Sequence, residues 1–172
     1  MIEQRAKKIK MVVLDVDGVL TDGKIIYSGF GIEVKNFDVK DGFGIRLLHR
    51  AGIKTAVITA KKSRALLKRI KELQINRLYQ NAFDKLKAYN DILKRFGLMN
   101  EDICYIGDDL LDLPLLKRVG LAVSVKDAVN EVKEIAHYVT EKKGGKGAVR
   151  EVIDIILKAQ GKWEKVTVRY RK

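Results

Sequence analysis

The chain has 172 residues, of which 47% are hydrophobic, and carries a formal net charge of +13. This hydrophobic content excludes a disordered chain, and the length predicts one domain, over residues 1–161, followed by a basic tail over residues 162–172. The single cysteine, Cys104, excludes an intramolecular disulfide framework. It lies in an apolar run, so we expect a packed core thiol rather than a nucleophile.

Charge and apolar runs also bear on location and partners. Residues 1–10 are charged, unlike a signal peptide, and no run approaches the roughly 18 apolar residues of a membrane span. With the lone thiol, this predicts a soluble protein of the cytoplasm with no membrane partner. The 35 basic residues are mixed with 22 acids, apart from a basic stretch with interleaved aromatics at 165–172. Such diffuse charge favours a small anionic substrate over nucleic acid.

Short apolar runs alternate with amphipathic helical patterns, which predicts a doubly wound parallel α/β sheet. Strands are predicted at residues 11–14, 55–59, 78–80, 103–107, 121–125 and 137–140. Helices are predicted at residues 42–51, 62–73, 84–96, 110–119, 128–135 and 148–159. The only proline, Pro114, falls in the first turns of the fourth helix, where a missing N–H costs little.

Residues 24–37 interrupt this alternation. Two short β-like runs flank a Ser-Gly-Phe-Gly turn, which predicts a hairpin that covers the end of the first strand as a flap. Its apolar side chains would be unusual on the surface of a monomer, although they could also pack on their own sheet. These side chains are Ile25, Ile26, Tyr27, Phe30 and Ile32.

Two carboxylates, Asp15 and Asp17, leave the first apolar strand, and Gly18 permits the chain to turn there. An Asp can attack phosphorus when a cation offsets the charge repulsion, and a second Asp nearby can shuttle the proton. The plainer alternative is an Asp-rich turn that caps a helix.

Polar residues also follow three further strands, at the edge where ligands gather in a parallel sheet. Thr59 could bind a phosphoryl oxygen or, alternatively, cap the next helix. Lys85 lies at the start of a predicted helix, where the partial positive charge of the helix N-terminus repels a cation. A function for the lysine would explain why this unfavourable position is used. Asp108, Asp109 and Asp112 add oxygen ligands suited to Mg²⁺. The joint placement predicts phosphoryl transfer.

These residues, in this order, resemble the haloacid dehalogenase superfamily. Three segments narrow the resemblance to the 3-deoxy-D-manno-octulosonate 8-phosphate phosphatase family: 15–23 (DVDGVLTDG), 39–45 (VKDGFGI) and 144–151 (GGKGAVRE). The resemblance implies a Rossmann-like core without a separate cap domain and an Mg²⁺-dependent phosphatase that forms an aspartyl-phosphate. It also implies a homotetramer whose hairpins assemble together and whose C-terminal segments approach a neighbour's site.

The resemblance further implies a role for each matching residue. Asp15 would be the nucleophile and a metal ligand, and Asp17 the acid/base with its main-chain carbonyl on the metal. Asp108 would be the remaining protein ligand of the metal. Thr59 and Lys85 would hold the phosphoryl group, with Asp109 and Asp112 supporting the ligands from behind.

For the body of the substrate, the resemblance implies residues at the mouth of the site, in addition to Asp17 and Lys85. They are Lys40, Asp41, Gly42, Arg46, Lys61 and Arg69. Cations there suit the carboxylate of a sugar acid, although a basic helix surface would look the same. The chain has Ala60-Lys61 where this family usually has Gly-Arg. A lysine ammonium thus replaces a planar guanidinium, which can form two parallel hydrogen bonds with a carboxylate.

Two alternative functions follow from the residues. A phosphoacceptor receiver domain also uses clustered Asp, Thr and Lys, but takes its phosphate on a middle strand. A phosphatase acting on nucleic-acid ends or another phosphorylated macromolecule is compatible with the charge and the missing cap.

Residues 144–147, rich in glycine, are predicted to form a loop near the substrate, with a flexible linker as the alternative. The tail is predicted to reach a neighbouring subunit.

Overall fold

The computed structural model describes residues 2–29 and 31–171 of the chain. The strands are β1 (Met11–Leu14), β2 (Ile26–Tyr27), β3 (Glu33–Val34), β4 (Lys54–Ile58), β5 (Arg77–Tyr79), β6 (Ile103–Gly107), β7 (Leu121–Ser124) and β8 (Tyr138–Val139). The helices are α1 (Ile2–Lys8), α2 (Val39–Arg50), α3 (Arg64–Leu73), α4 (Lys85–Phe96), α5 (Leu113–Leu116), α6 (Asn130–Ile135), α7 (Ala148–Ala159) and α8 (Trp163–Thr167). Single 3-10 turns occupy Asn100–Asp102, Leu110–Asp112 and Val168–Tyr170. None of the helices in the described ranges has the length and apolarity needed to cross a membrane.

Six of the strands form one parallel sheet in the order β5-β4-β1-β6-β7-β8. β1 is central, with Leu14 paired to Val57 of β4 and to Ile106 of β6. The chain moves outward from β1 to β5 and then starts again at β6 on the other side of β1. This reversal creates a crevice beyond the carboxyl ends of β1 and β6, where ligands bind in such sheets. The predicted doubly wound α/β fold is confirmed.

The sheet is buried because helices cover both of its faces. α1, α2 and α7 pack together as one layer, and α4, α5 and α6 form the other. Every residue of β1 and β6 is buried, which explains their near-continuous apolar sequence. Cys104 lies inside this core on β6, and burial raises the pKa of its thiol. The prediction of a packed core thiol is confirmed.

The predicted elements are present, but their ends differ. α2 begins at Val39 rather than at residue 42, because the Asp38 carboxylate caps it by accepting the Lys40 N–H at 2.6 Å. The helix predicted over 110–119 is divided into a 3-10 turn and the short α5, because Asp112 turns its side chain into the protein. Pro114 lies in the first turn of α5, as predicted.

The tail differs most from expectation. α8 packs on α2 and α7 of the same chain, and the following 3-10 turn packs on α2 through Tyr170, so the tail is not a free strip; its approach to a neighbouring subunit stays a prediction. Tyr170 packs edge-on against Phe43, with ring centroids 5.3 Å apart, and its hydroxyl accepts a hydrogen bond from Arg50 at 2.5 Å. Trp163, Val166 and Tyr170 follow a helical spacing, which is the pattern that could have predicted this packing.

The hairpin of β2 and β3 is present as predicted, with Ile26 paired to Val34. Each of its strands has only two residues. Four side chains of its apolar set are exposed by 43–69%: Ile25, Ile26, Tyr27 and Ile32. The fifth, Phe30, lies outside the described residues. In the described part of the chain, these side chains therefore do not pack on their own sheet.

Candidate active site

The acids predicted at the ends of β1 and β6 meet in space. Asp15 directly follows β1 and its N–H donates to Ile106 of β6 at 3.1 Å, while Asp108 directly follows β6. Carboxylate oxygens of Asp15, Asp108 and Asp112 all lie within 4.8 Å of one another. Asp15 and Asp108 open into a cleft of about 260 Å³. The cleft is lined by Asp15, Asp17, Gly23, Thr59, Ala60, Lys61, Lys85, Asp108, Asp109 and Leu111.

Lys85 joins this acid cluster from the first residue of α4. Its ammonium lies 3.0 Å from Asp15 Oδ2 and 2.5 Å from Asp112 Oδ1, and it donates to the Tyr105 hydroxyl at 3.2 Å. Burial alone would lower the pKa of Lys85, but the charges of Asp15 and Asp112 outweigh burial and raise it. Lys85 therefore stays a cation and partly balances the acids.

Asp112 organises the turn that carries the other acids. Its side chain is completely buried, and one carboxylate oxygen accepts the Tyr105 hydroxyl at 2.6 Å in addition to Lys85. The other oxygen accepts the backbone N–H groups of Asp108 at 2.8 Å and Asp109 at 3.2 Å. Both oxygens are thus occupied, so Asp112 supports the site, whereas Asp15 and Asp108 face the cleft. Tyr105 has no role in the sequence prediction, because its place within a buried strand looks like ordinary core.

The site carries more negative charge than Lys85 can balance. Burial, followed by the charge of Asp112, raises the pKa of Asp15 to about 7. Burial, followed by the charge of Asp15, raises the pKa of Asp108 to about 8. Asp108 Oδ1 is also buried without a hydrogen-bond partner among the described residues. An unpartnered carboxylate oxygen beside a second carboxylate fits a hard divalent cation, which prefers oxygen ligands.

The turn after Asp17 requires glycine at position 18. Its φ of +90° is strained for other residues, and a Cβ there would collide with the Asp108 carboxylate. The turn is braced from behind, where Gly145 N–H donates to Val19 at 3.0 Å and a Cβ on Gly144 would collide with the Gly18 carbonyl. The loop 144–147 is therefore packed against this turn and is not a flexible linker.

Thr59 follows β4 and faces the same cleft. Its hydroxyl accepts the N–H of Lys61 at 3.3 Å, so it orders the loop that carries Lys61. It does not cap α3, since Ser63 does so by accepting the Leu66 N–H at 3.3 Å. The capping alternative for Thr59 is wrong, because the chain continues for a short loop before the helix begins.

Of the six residues predicted at the mouth, Lys61 lines the cleft and the other five do not. Lys40 and Arg46 are exposed on α2. The Asp41 carboxylate is buried and accepts the N–H groups of Arg150 at 2.8 Å and Gly147 at 3.3 Å. It therefore anchors the start of α7, an arrangement that depends on tertiary packing and leaves no local sequence pattern.

Gly42 and Arg69 form a second contact of this kind. A Cβ on Gly42 would collide with the Arg69 guanidinium, which lies directly over it. Arg69 donates to the Asp38 carbonyl at 3.3 Å and lies 3.5 Å from the Glu72 carboxylate. In the described chain, both residues thus stabilise the entry into α2 and lie away from the cleft.

Lys35 contacts the site, and the sequence prediction missed it. Although it follows the exposed strand β3, its side chain is only 2% exposed and its ammonium is paired with the carboxylates of Asp17 and Glu33. Glu33 and Lys35 are two residues apart, so an extended chain places them on one face. That alternation was the available pattern, but charged residues on an exposed hairpin also look like solvated charge.

Comparisons with known proteins identify the class and then the family. The family model of haloacid dehalogenase-like hydrolases matches residues 73–153. The 3-deoxy-D-manno-octulosonate 8-phosphate phosphatase of Yersinia pestis is 48% identical over 164 residues, covering 95% of this chain and 88% of the relative. That of Escherichia coli K12 is 45% identical, covering 92% and 84%. The chain belongs to this phosphatase family, as the resemblance implies, and a receiver domain is excluded.

Solved structures agree over nearly the whole chain. A probable YrbI family phosphatase from Pseudomonas syringae superimposes with a TM-score of 0.97 at 43% identity, covering 99% of this chain and 97% of the other. A 3-deoxy-D-manno-octulosonate 8-phosphate phosphatase from Moraxella catarrhalis, solved with magnesium, phosphate and KDO, gives a TM-score of 0.96 at 41% identity, covering 98% and 97%. The fold and the family therefore rest on independent comparisons.

Proposed function

We propose that the protein hydrolyses 3-deoxy-D-manno-octulosonate 8-phosphate, or a closely related sugar-acid phosphate. The observation that carries the proposal is the Asp15 carboxylate at the end of β1, 3.0 Å from the Lys85 ammonium and within 4.8 Å of Asp108. A nucleophile, a cation and an acidic metal site are thus brought together. The activity named for the relatives, and the sugar acid and phosphate bound in the Moraxella catarrhalis structure, support the choice of substrate.

In the first half of the proposed reaction, a carboxylate oxygen of Asp15 attacks phosphorus. The new bond forms as the bond between phosphorus and the sugar oxygen breaks. Asp17 donates a proton to that oxygen, so the sugar acid leaves as an alcohol. Thr59 and Lys85 bind the phosphoryl oxygens and hold the phosphorus in line with Asp15.

In the second half, water attacks the phosphorus of the aspartyl-phosphate. Asp17, now a carboxylate, accepts the proton of that water as the bond between Asp15 and phosphorus breaks. Inorganic phosphate leaves, and both aspartates return to their starting states. The location of Asp17 two residues after Asp15, on the wall of the same cleft, supports this double use.

Mg²⁺ is the proposed cofactor. Asp15 and Asp108 would each supply a carboxylate oxygen, and Asp17 its main-chain carbonyl. When bound, the ion offsets the repulsion between the carboxylates and the phosphoryl oxygens. The unpartnered Asp108 oxygen and the raised pKa values of Asp15 and Asp108 support a cation at this place.

We further propose a cytoplasmic homotetramer held partly by the hairpin at 24–37. Exposed apolar side chains on a short hairpin, such as Tyr27 at 69% and Ile32 at 63%, favour burial against another copy. A neighbour would also supply cover that the uncapped cleft lacks, and could bring Lys40, Arg46 or Arg69 toward a substrate. Residues 1–161 would form the phosphatase domain, with 162–172 as a basic C-terminal tail packed on it. Sedimentation of the wild type at micromolar concentration tests this, and an active monomer would contradict it.

The decisive test of substrate is a comparison of kcat/KM across phosphate esters. The panel is 3-deoxy-D-manno-octulosonate 8-phosphate, a neutral hexose phosphate, a nucleotide and a 3′-phosphorylated oligonucleotide, with Asp15→Asn as the background control. We expect the octulosonate to give the highest value. A higher value for the oligonucleotide would favour the macromolecular alternative, and one for the hexose phosphate would make the family-level substrate wrong for this chain.

A further inference from the structure

Directly after β3, the buried side chain of Lys35 contacts Asp17 on the wall of the cleft. Its ammonium lies 2.9 Å from Glu33 Oε1 and is hydrogen-bonded to Asp17 Oδ1. An exposed hairpin offers a lysine every opportunity to reach water, as Lys24 does with its side chain 76% exposed. Lys35 is instead only 2% exposed, and burying an ammonium costs free energy unless its partners compensate. The conformation is therefore held by its two carboxylates.

Glu33 is itself held in place from the core side. β3 packs against α3, whose first turn is capped by Ser63. Burial alone would raise the pKa of Glu33, but hydrogen bonds from Lys35 and Ser63 outweigh burial and lower it. Glu33, on a strand that packs against α3, is thus joined through Lys35 to Asp17.

Asp17 needs such a partner more than Asp15 does. Asp15 is fixed by its hydrogen bond with the Val16 N–H at 2.7 Å and by Lys85. For the Asp17 carboxylate, Lys35 is the hydrogen-bond partner found within the described ranges, and the side chain of Asp17 is 24% exposed. Without Lys35, the Asp17 side chain would be free to rotate away from the cleft.

We propose that Lys35 is a positioning residue, which binds Asp17 Oδ1 and leaves the other carboxyl oxygen, Oδ2, to carry the proton to the leaving-group oxygen, so that proton transfer depends on the docked hairpin. This inference rests on the proposed function of Asp17 as the acid/base. Lys35 itself is not among the residues that line the cleft, so it acts through Asp17. The hairpin then contributes to catalysis through Lys35.

The test compares Lys35→Met with Lys24→Met, which removes an exposed cation from the same hairpin. With the sugar-acid phosphate, we expect Lys35→Met to lower kcat about 100-fold with little change in KM, because a misplaced group slows the chemistry. With p-nitrophenyl phosphate, whose leaving group needs no proton, kcat/KM, which reports on the first half of the reaction, should fall less than about tenfold. Lys24→Met should match the wild type on both substrates, and Lys35→Arg should retain more activity than Lys35→Met.

Asp17→Asn separates the possible failures. If Asp17→Asn keeps the wild-type rate, the proposed function of Asp17 is wrong, whatever Lys35 does. If Asp17→Asn is inactive but Lys35→Met equals Lys24→Met, only the inference about Lys35 is overturned. Equal losses of kcat/KM on both substrates would also overturn it, since departure of nitrophenolate does not need the Asp17 proton. Should Lys35→Met fail to fold in a thermal scan, Glu33→Gln decides by the same difference between the substrates.

Discussion

Lys85 and Lys35 are each buried between two carboxylates, yet they are supported by different parts of the molecule. Both side chains are 2% exposed. Lys85 opens the 12-residue helix α4, and its partner Asp112 is fully buried behind strands that lie in the core. Lys35 follows a two-residue strand, and its partners Asp17 and Glu33 are each 24% exposed.

The difference indicates how the site divides its work. The cluster around Lys85 is fixed by the sheet, so the groups proposed to hold the phosphoryl oxygens and the metal are in place before substrate arrives. The cluster around Lys35 exists only while the hairpin is docked. Chemistry at phosphorus therefore depends on the core, whereas proton transfer depends on a small surface element.

The largest expected effect breaks the core cluster at its reacting group. Asp15→Asn should lower kcat by more than about 1,000-fold, because the variant loses the nucleophile while keeping the packing. Steady-state phosphate release measures the rate, and a circular dichroism spectrum like that of the wild type controls for folding. Retention of more than about a tenth of the wild-type rate would rule out Asp15 as the nucleophile.

Replacing the two lysines tests whether the clusters are supported differently. Lys85→Met leaves Asp15 and Asp112 as unpaired buried charges, so we expect a loss of about 3 kcal/mol in the free energy of unfolding. Lys35→Met leaves carboxylates that water can reach, so its loss should stay below about 1 kcal/mol. Urea unfolding of both variants at neutral pH gives the comparison. Equal losses would mean that the hairpin is as integral to stability as the sheet.

The pH dependence of the metal-free protein tests the charge excess in the core cluster. The folded pKa values of Asp15 and Asp108, about 7 and about 8, lie above the ordinary 3.8. The stabilisation from their protonation is thus complete below 3.8 and lost as pH rises to about 8. With the metal chelated, thermal stability should therefore fall between about pH 5 and pH 8. Mg²⁺ should restore more stability at the higher pH, since metal competes with protons for the carboxylates.

Asp108→Asn is the matched control for that experiment. It removes one of the two carboxyl groups with a raised pKa, and with it one proposed ligand of the metal. Its stability should depend less on both pH and Mg²⁺ across the same range. Equal stabilisation of the wild type by Mg²⁺ at both pH values would contradict the charge excess at this site.

The last of these effects concerns a buried carboxylate outside both clusters. Asp41→Ala removes the acceptor for two N–H groups at the start of α7, so we expect a loss of about 1–2 kcal/mol in the free energy of unfolding. KM for the sugar-acid phosphate should not change, because the side chain does not line the cleft. Chemical denaturation and initial-rate kinetics measure the two quantities. A raised KM without loss of stability would return Asp41 to the substrate site.

The sequence was informative where a residue's environment follows from its strand. Asp15, Thr59, Lys85 and Asp108 all follow parallel strands, so their meeting could be predicted from apolar runs and topology alone. Lys35 could not be found in this way, because its burial depends on how the hairpin docks. The same is true of Asp41, whose partners lie more than 100 residues away in the sequence.

Helix ends and the tail show the same limit. Asp38 caps α2 and Ser63 caps α3, and both are residue types that commonly cap helices. The sequence offers several other residues of these types, so it does not show which of them is the cap. The tail looked like a charged strip because its lysines and arginines outnumber the apolar side chains that pack it against α2. Local composition thus predicts which residues are polar, but tertiary contacts decide which of them are buried.

Trapping the covalent intermediate tests the central claim most directly. The enzyme is mixed with 3-deoxy-D-manno-octulosonate 8-phosphate, quenched rapidly and treated with borohydride, which reduces an acyl phosphate to an alcohol. Peptide mapping by mass spectrometry then locates the reduced residue. We expect reduction of the Asp15 side chain to that of homoserine, in the wild type and not in Asp15→Asn. Reduction at another carboxylate, or none during active turnover, would contradict phosphoryl transfer through Asp15.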